Sequence, residues 1–350
     1  MPAIWERLQR AWSDRRGVAL ALLPLALLFR ALVALRRALY ALGWLRQERL
    51  PVPVVVVGNL VAGGAGKTPT VRAIVAALQR RGHRPGIVSR GYGREQAGVL
   101  AVEYATSAHL AGDEPLLLRR RTGVPVYVGR DRVATGRALL QAHPGVDVLV
   151  SDDGLQHLRL ARDAEVMVFD ERGTGNGWLL PAGPLREPLD RTVPANRLVL
   201  YNAPAPTTPL PGFLATRCLS GALALADWWA GASPDPGVLA ALRGRPIVAA
   251  AGLARPERFF EMLRAQGLDV LALPLPDHFD FASLPWPADA ADVIVTEKDA
   301  VKLAAERAGT ARVWVAALDF MPDPAFEARL LRLLDAPFQA ATIAHGNPLA

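Results

Sequence analysis

Cysteine is nearly missing: the 350-residue chain has one, Cys218. A lone thiol makes no internal disulfide and no multi-thiol metal centre, which excludes a disulfide-stapled secreted scaffold and fits a reducing, cytoplasmic setting. An apolar run long enough to cross a bilayer is also lacking. VALALLPLALLF at residues 18–29 stops at Arg30, with Arg36 and Arg37 beyond, whereas a spanning helix needs roughly 20 such residues. Arginines stand where a signal peptide would carry its small-residue cleavage site. Two readings of this segment stay open: a basic, apolar helix lying in a membrane surface, or a helix packed on the protein's own core. Acidic residues are in deficit, 33 against 40 Lys and Arg, for a net charge of +7. That balance suits an anionic partner such as a nucleotide, a nucleic acid or an anionic lipid.

What is present is a foldable, core-forming composition, 51% hydrophobic and 21% charged, long enough for two domains of ordinary size. After residue 50, buried-strand patterns at 53–57, 86–88, 124–128, 146–150, 165–169 and 197–200 alternate with helical patterns at 68–81, 114–121 and 131–142. Such alternation predicts a mostly parallel sheet covered on both faces. The proline-rich APAPTTPLPG at 203–212 reads as a boundary. A second, smaller α/β set follows, with strands at 246–250, 269–273, 292–295 and 312–316 and helices at 256–266, 298–307 and 324–334. The expected organisation is a helical segment over 1–45, one α/β domain over 46–212 and another over 213–350.

The stretch VVVVGNLVAGGAGKTPTVRAIVAAL at 54–78 carries the most specific chemistry. A strand ends at Gly58, a glycine-rich loop follows, and Lys67 opens an amphipathic helix with Val71, Ile74, Val75 and Leu78 on one face. Gly63, Gly64 and Gly66, with Ala65 between, let backbone amides turn toward phosphate oxygens. Lys67 is placed to reach the outer phosphates and Thr68 to ligate Mg²⁺. Val61 stands where the general motif has its first glycine, but the strand-to-helix context is the required one. The prediction is a P-loop NTPase-like domain.

A second strand, VDVLVS at 146–151, ends in Asp152 and Asp153, carboxylates suited to hold Mg²⁺ directly or through water. TEKD at 296–299 has its lysine one place too late for the Asn-Lys-x-Asp guanine reader, so ATP is favoured over GTP. No run of basic and aromatic residues flanks the loop, and no nucleic acid partner is expected. Asp113, in GDEP before a helical pattern, reads as an N-cap from its spacing.

GNLVAGGAGKTP, SRGYGR (89–94), GDEP (112–115), SDDGLQH (151–157), PAGPLREP (181–188), AGLARPERFF (251–260), DHFDF (277–281) and TEKDAVKL (296–303) occur in that order. Together they resemble the tetraacyldisaccharide 4′-kinase family, the lipid A 4′-kinases of Gram-negative bacteria, from about residue 15 to 335. That family's loop also lacks the motif's first glycine. The resemblance implies transfer of the ATP γ-phosphoryl group to the 4′-hydroxyl of a tetraacylated glucosamine disaccharide 1-phosphate. The expected setting is the cytoplasmic side of the inner membrane, with an N-terminal helix engaging the bilayer and no obligate protein partner.

It further implies that Asp113 is the base that takes the hydroxyl proton, with His278 as its partner. Asp152, Asp153 and Glu187 become the acidic shell around Mg²⁺. Arg90, Tyr92 and Arg94 lie beyond a strand end, where they could hold phosphates. Gln156 and His157 become supports for the metal carboxylates. Thr296, Glu297, Lys298 and Asp299 receive no role. The rival reading is a membrane-associated, partner-regulated switch ATPase, whose deviant loop carries a lysine where this chain has Ala62.

Overall fold

The computed structural model describes Trp12, residues 15–94 and residues 98–335. The start of the expected N-terminal segment and the end of the expected second domain lie outside the described residues.

Twelve strands form one sheet: β1 Val54–Gly58, β2 Pro85–Ser89, β3 Leu100–Ala101, β4 Val126–Val128, β5 Val148–Ser151, β6 Ala164–Asp170, β7 Arg197–Asn202, β8 Phe213–Ala224, β9 Pro246–Ala251, β10 Asp269–Pro274, β11 Asp292–Thr296 and β12 Arg312–Pro322. Their order is β10-β9-β11-β12-β8-β7-β6-β1-β5-β2-β4-β3. Only the β12–β8 and β4–β3 pairings are antiparallel among the described residues, so the mostly parallel α/β expectation holds. The strands of the centre are apolar without alternation because both faces are covered. Val55 and Val57 of β1 pack with Val71, Ile74, Val75 and Leu78 of helix Lys67–Arg80. Val54 and Val56 face the opposite way, into a core with Leu50, Leu139 and Leu149.

Two segments differ from the pattern read in the sequence. The proline-rich 203–212 stretch is the short connection into β8, which the sequence reading missed. β8 pairs with β7 through Leu200–Phe213 and Tyr201–Leu214, then runs antiparallel to β12. Its polar Thr216, Arg217, Cys218 and Ser220 blur the strand signal, yet the strand joins both α/β sets into a continuous sheet. The helix expected over 298–307 is broken into Glu297–Ala300 and a 3₁₀ turn at Ala305–Arg307. Thr296 caps its first turn by accepting from Asp299 N, and the chain then dips inward to bury Val301 and Leu303.

Helix Leu23–Ala41 buries only Ala26. Leu25, Leu28, Leu32 and Leu35, which share one face at helical spacing, are each more than half exposed. Phe29 packs against the core that holds Leu50 and Val54, while the leucine face is left to solvent. Arg37 fastens it to the body through Asp190, at 3.2 Å. Among the described residues no helix is long and apolar enough to cross a membrane.

The loops after β1, β2 and β5 lie at the carboxyl ends of these neighbouring parallel strands, where open α/β sheets bind ligands. They carry residues 59–66, 90–94 and 152–157 respectively.

Candidate active site

The loop after β1 has its carbonyls engaged by side chains. Asn59 donates from Nδ2 to the carbonyls of Val61 (2.7 Å) and Gly63 (3.1 Å). Arg172 donates to Ala62 (3.2 Å) and Gly64 (2.7 Å), and Asn202 to Ala65 (3.1 Å). The amides of Gly63, Gly64, Ala65 and Gly66 donate no hydrogen bond within the described residues. Successive unengaged N–H groups in such a turn make an anion receptor. Gly66 enters the helix at φ 94°, a backbone that glycine adopts without steric penalty. A Cβ there would fall 2.5 Å from Asn202 Nδ2 and 2.6 Å from Arg217 Nη2.

Lys67, 8% exposed, places Nζ 3.2 Å from Asn59 Oδ1 and 3.4 Å from Asp153 Oδ1. Thr68 is half-buried in the same first turn. The two carboxylates after β5 have opposite environments. Burial pushes the Asp152 carboxyl up to about 7, and the negative charges of Glu114 and Asp153 add to the rise. Ser89 Oγ donates to its Oδ2 at 3.1 Å, while the buried Oδ1 has no hydrogen-bond partner among the described residues. Burial also works to raise Asp153, but Lys67 and Arg186 outweigh it and hold that carboxyl below its ordinary range. Arg186 Nη1 stands 3.2 Å from Asp153 Oδ1.

An orphaned carboxylate oxygen in so anionic a corner fits a hard divalent cation. Among the described residues no three His, Cys, Asp or Glu side chains converge as a metal cage. Glu187 is not brought to the aspartates. Its burial raises its pKa, against the opposing pull of Arg37 and Gln156. Gln156 donates to Asn59 O at 3.3 Å and accepts from Arg186 at 3.5 Å. Burial, with Arg132 next, pushes His157 down to about 4.

Asp113 is not an N-cap. Gly112 occupies that position with φ 90°, and Asp113 is the first residue of helix Asp113–Thr122. Its carboxylate meets His278 Nδ1 at 2.9 Å across a separation of 165 residues, and Lys302 Nζ at 3.5 Å. Burial would raise this carboxyl, yet the His278 hydrogen bond and the Lys302 and Lys298 charges hold it below its ordinary range. The charge of Glu114, in the same turn, also acts on Asp152 and raises its pKa.

The loop after β2 packs on that turn. Tyr92, 73% exposed, lies 5.8 Å from the His278 ring, and Arg90 is exposed beside it. Arg94 serves a different purpose from the one anticipated: it donates to the carbonyls of Val128 and Gly98 and closes its own loop.

Several residues escaped the sequence reading. Asn59, Arg172 and Asn202 tie the loop, and Arg186 neutralises Asp153; only Asn59 and Arg186 lay inside motifs already noticed. Arg217 arrives from the unrecognised β8. Burial lowers it to about 10, and its Nε is buried without a hydrogen-bond partner among the described residues. The TEKD residues also acquire places. Buried Glu297 pairs with Arg72 (3.2 Å) and Arg121 (3.1 Å) and accepts from Trp228 Nε1 (3.3 Å). Lys298 pairs with Asp277 at 2.8 Å and with Glu114 at 3.9 Å.

The profile of the tetraacyldisaccharide-1-P 4′-kinase family matches residues 18–335. The tetraacyldisaccharide 4′-kinase of Methylibium petroleiphilum is 60% identical over 329 residues, covering 92% of each chain. That of Leptothrix cholodnii is 58% identical over 335 residues, covering 94% of this chain and 96% of its own. The crystal structure of LpxK from Aquifex aeolicus in complex with ATP superposes with a TM-score of 0.76 at 29% identity. It covers 91% of this chain and all of that one. The chain belongs to the tetraacyldisaccharide-1-P 4′-kinase family.

Proposed function

We propose, from this membership and the site's geometry, that the chain transfers the γ-phosphoryl group of ATP to the 4′-hydroxyl of a tetraacylated glucosamine disaccharide 1-phosphate. The carrying observation is the Asp113–His278 pair, 2.9 Å apart, on the helix whose Glu114 charge acts on Asp152. A P-loop reading of residues 58–68 is supported by the unengaged amides and the buried ammonium. Gly63, Gly64, Ala65 and Gly66 offer their N–H groups to the phosphates, and Lys67 exchanges its Asp153 contact for the outer phosphate oxygens. Arg90 and Tyr92 line the approach. Asp113 accepts the proton of the sugar hydroxyl while that oxygen bonds to phosphorus and the bond to the β–γ bridging oxygen breaks, releasing ADP. His278 orients the carboxylate through Nδ1. Asp152, Asp153 and Thr68 would hold Mg²⁺, with Glu187 acting at a remove. The ion's contribution is neutralisation of phosphate charge.

Helix Leu23–Ala41 is read as lying in the inner-membrane surface from the cytoplasmic side, leucines inward and Arg30 and Arg36 toward head groups, while Arg37 stays on Asp190. The organisation into 1–45, 46–212 and 213–350 gives the nucleotide loop to one unit and His278 to the other. Asp113 of the first unit and His278 of the second already meet at 2.9 Å, so the pair needs no closure to form. Radiolabelled ATP, incubated with detergent-solubilised protein and the disaccharide acceptor, should yield a bis-phosphorylated lipid, and Asp113→Asn should bind ATP without forming it. Absence of labelled lipid from active protein refutes the reading; ATP hydrolysis dependent on a second protein would favour the switch ATPase.

A further inference from the structure

Lys302 is a lysine with 6% side-chain exposure, a degree of burial this residue type tolerates only when paired. Its Nζ lies 3.5 Å from Asp113 Oδ2 and 3.5 Å from Asp299 Oδ1, and 5.6 Å from the centre of the Phe281 ring. Asp299, fully buried, is itself fixed. It accepts from Gly252 N at 3.2 and 3.1 Å and from Thr296 Oγ1 at 2.7 Å. The ammonium therefore rests on an anchored carboxylate and points its remaining charge at Asp113. His278 meets the same oxygen, Oδ2, at 2.9 Å. No hydrogen bond falls on Asp113 Oδ1 among the described residues.

We propose that Lys302 is the positioning residue of the acid–base pair: it holds Asp113 Oδ2 against His278, so that Oδ1 is presented to the acceptor hydroxyl, and keeps the carboxyl ionised. This rests on the reading of Asp113 as the base. The charged groups facing Asp113 are His278 and Asp277 after β10, Lys298 and Lys302 after β11, and Glu114 on its own helix. Asp277 and Glu114 both engage Lys298. Lys302, whose only acidic partner besides Asp113 among the described residues is Asp299, is the cation with charge to give. The sequence motif TEKDAVKL thus acquires a purpose: Thr296 and Asp299 seat Lys302, and Lys302 seats the base.

Lys302→Met alone strands the Asp299 charge and risks unfolding. The informative variant is the double Lys302→Met, Asp299→Asn, in which the introduced amide oxygen still accepts from Gly252 N–H. In the full chain, assayed with ATP and the disaccharide, the double variant should lower kcat on the order of 10-fold with an unchanged KM for ATP. It should also move the acid limb of the kcat profile about 1 pH unit higher, because an opposite charge near a carboxylate depresses its pKa. Lys302→Arg should keep the wild-type limb. A double variant with wild-type kcat, or with reduced kcat and an unmoved limb, overturns the proposal, as does an arginine variant whose limb moves equally. Turnover retained by Asp113→Asn would instead sink the reading of Asp113 as base, a separate result.

Discussion

Removing the Glu297 carboxylate tests whether the phosphate-loop helix and the Asp113 helix are locked together by one buried charge. Glu297 is 4% exposed and pairs with Arg72 of helix Lys67–Arg80 and Arg121 of helix Asp113–Thr122, at 3.2 and 3.1 Å. The two guanidinium side chains are only 17% and 20% exposed. Burial already lowers the Arg72 pKa, with Glu297 opposing that shift. Glu297→Ala leaves both arginines half-desolvated, close together and without this counter-charge, a situation that costs about 3–5 kcal/mol. Glu297→Gln keeps an acceptor for Trp228 Nε1 or one arginine and should cost about 1.5–3 kcal/mol. At about 2.1 cal/mol/K of unfolding entropy per residue, a chain of this size loses roughly 4–7 °C in Tm for the alanine variant. Differential scanning calorimetry checks the shift, and steady-state assays should show kcat falling with it, since the helices carrying Lys67 and Asp113 lose their common tie. An alanine variant that melts with the wild type, or melts lower with unchanged kcat, refutes the lock.

Three further outcomes follow from the same geometry. Asp113 is held below its ordinary range and a base must be ionised to act. The kcat profile should therefore stay level from pH 7 down to roughly pH 5 and fall only as the pH approaches the depressed carboxyl pKa; a carboxyl limb near neutrality would contradict this. Arg217→Ala removes a guanidinium beside Gly66 whose Nε has no hydrogen-bond partner among the described residues, and should raise the KM for ATP by on the order of 10-fold, measured by ATP titration; an unchanged KM assigns Arg217 to packing. If the proposed membrane seat holds, changing Leu25, Leu28, Leu32 and Leu35 to serine removes about 1.5 kcal/mol or more of burial per leucine. Vesicle sedimentation should collapse while Tm is unchanged, and retained sedimentation would show that the helix is not the anchor.

The nucleotide half of the candidate site was legible because its information is local. Gly63, Gly64, Gly66, Lys67 and Thr68 fall within one strand–loop–helix turn, and backbone geometry alone brings them together. The strands of the central sheet announced themselves for a related reason: burial on both faces demands continuous apolar runs such as VVVV at 54–57. β8 did not, because its polar residues serve neighbours from both halves of the sheet, and Arg217 went unseen with it. Glu187 looked equivalent to Asp152 and Asp153 as an acid in a suggestive loop, yet among the described residues it does not join them in a metal-holding cluster.

Residue order alone was enough for the α/β class, the glycine-rich turn and, through the succession of motifs, the family. From spacing alone Asp113 read as a helix cap, and the motif resemblance made it the base. The folded chain removed the cap reading, because Gly112 takes that position. It also brought His278, which the motif resemblance had already named as the partner, to 2.9 Å, and added Lys302, which the sequence had given no role. Charge interactions depend on distance through space and on local burial, neither of which spacing along a chain encodes. The same holds for Glu297, whose two arginines come from separate helices. Whether an acid is solvated, capping a helix or poised as a base is fixed by what packs around it.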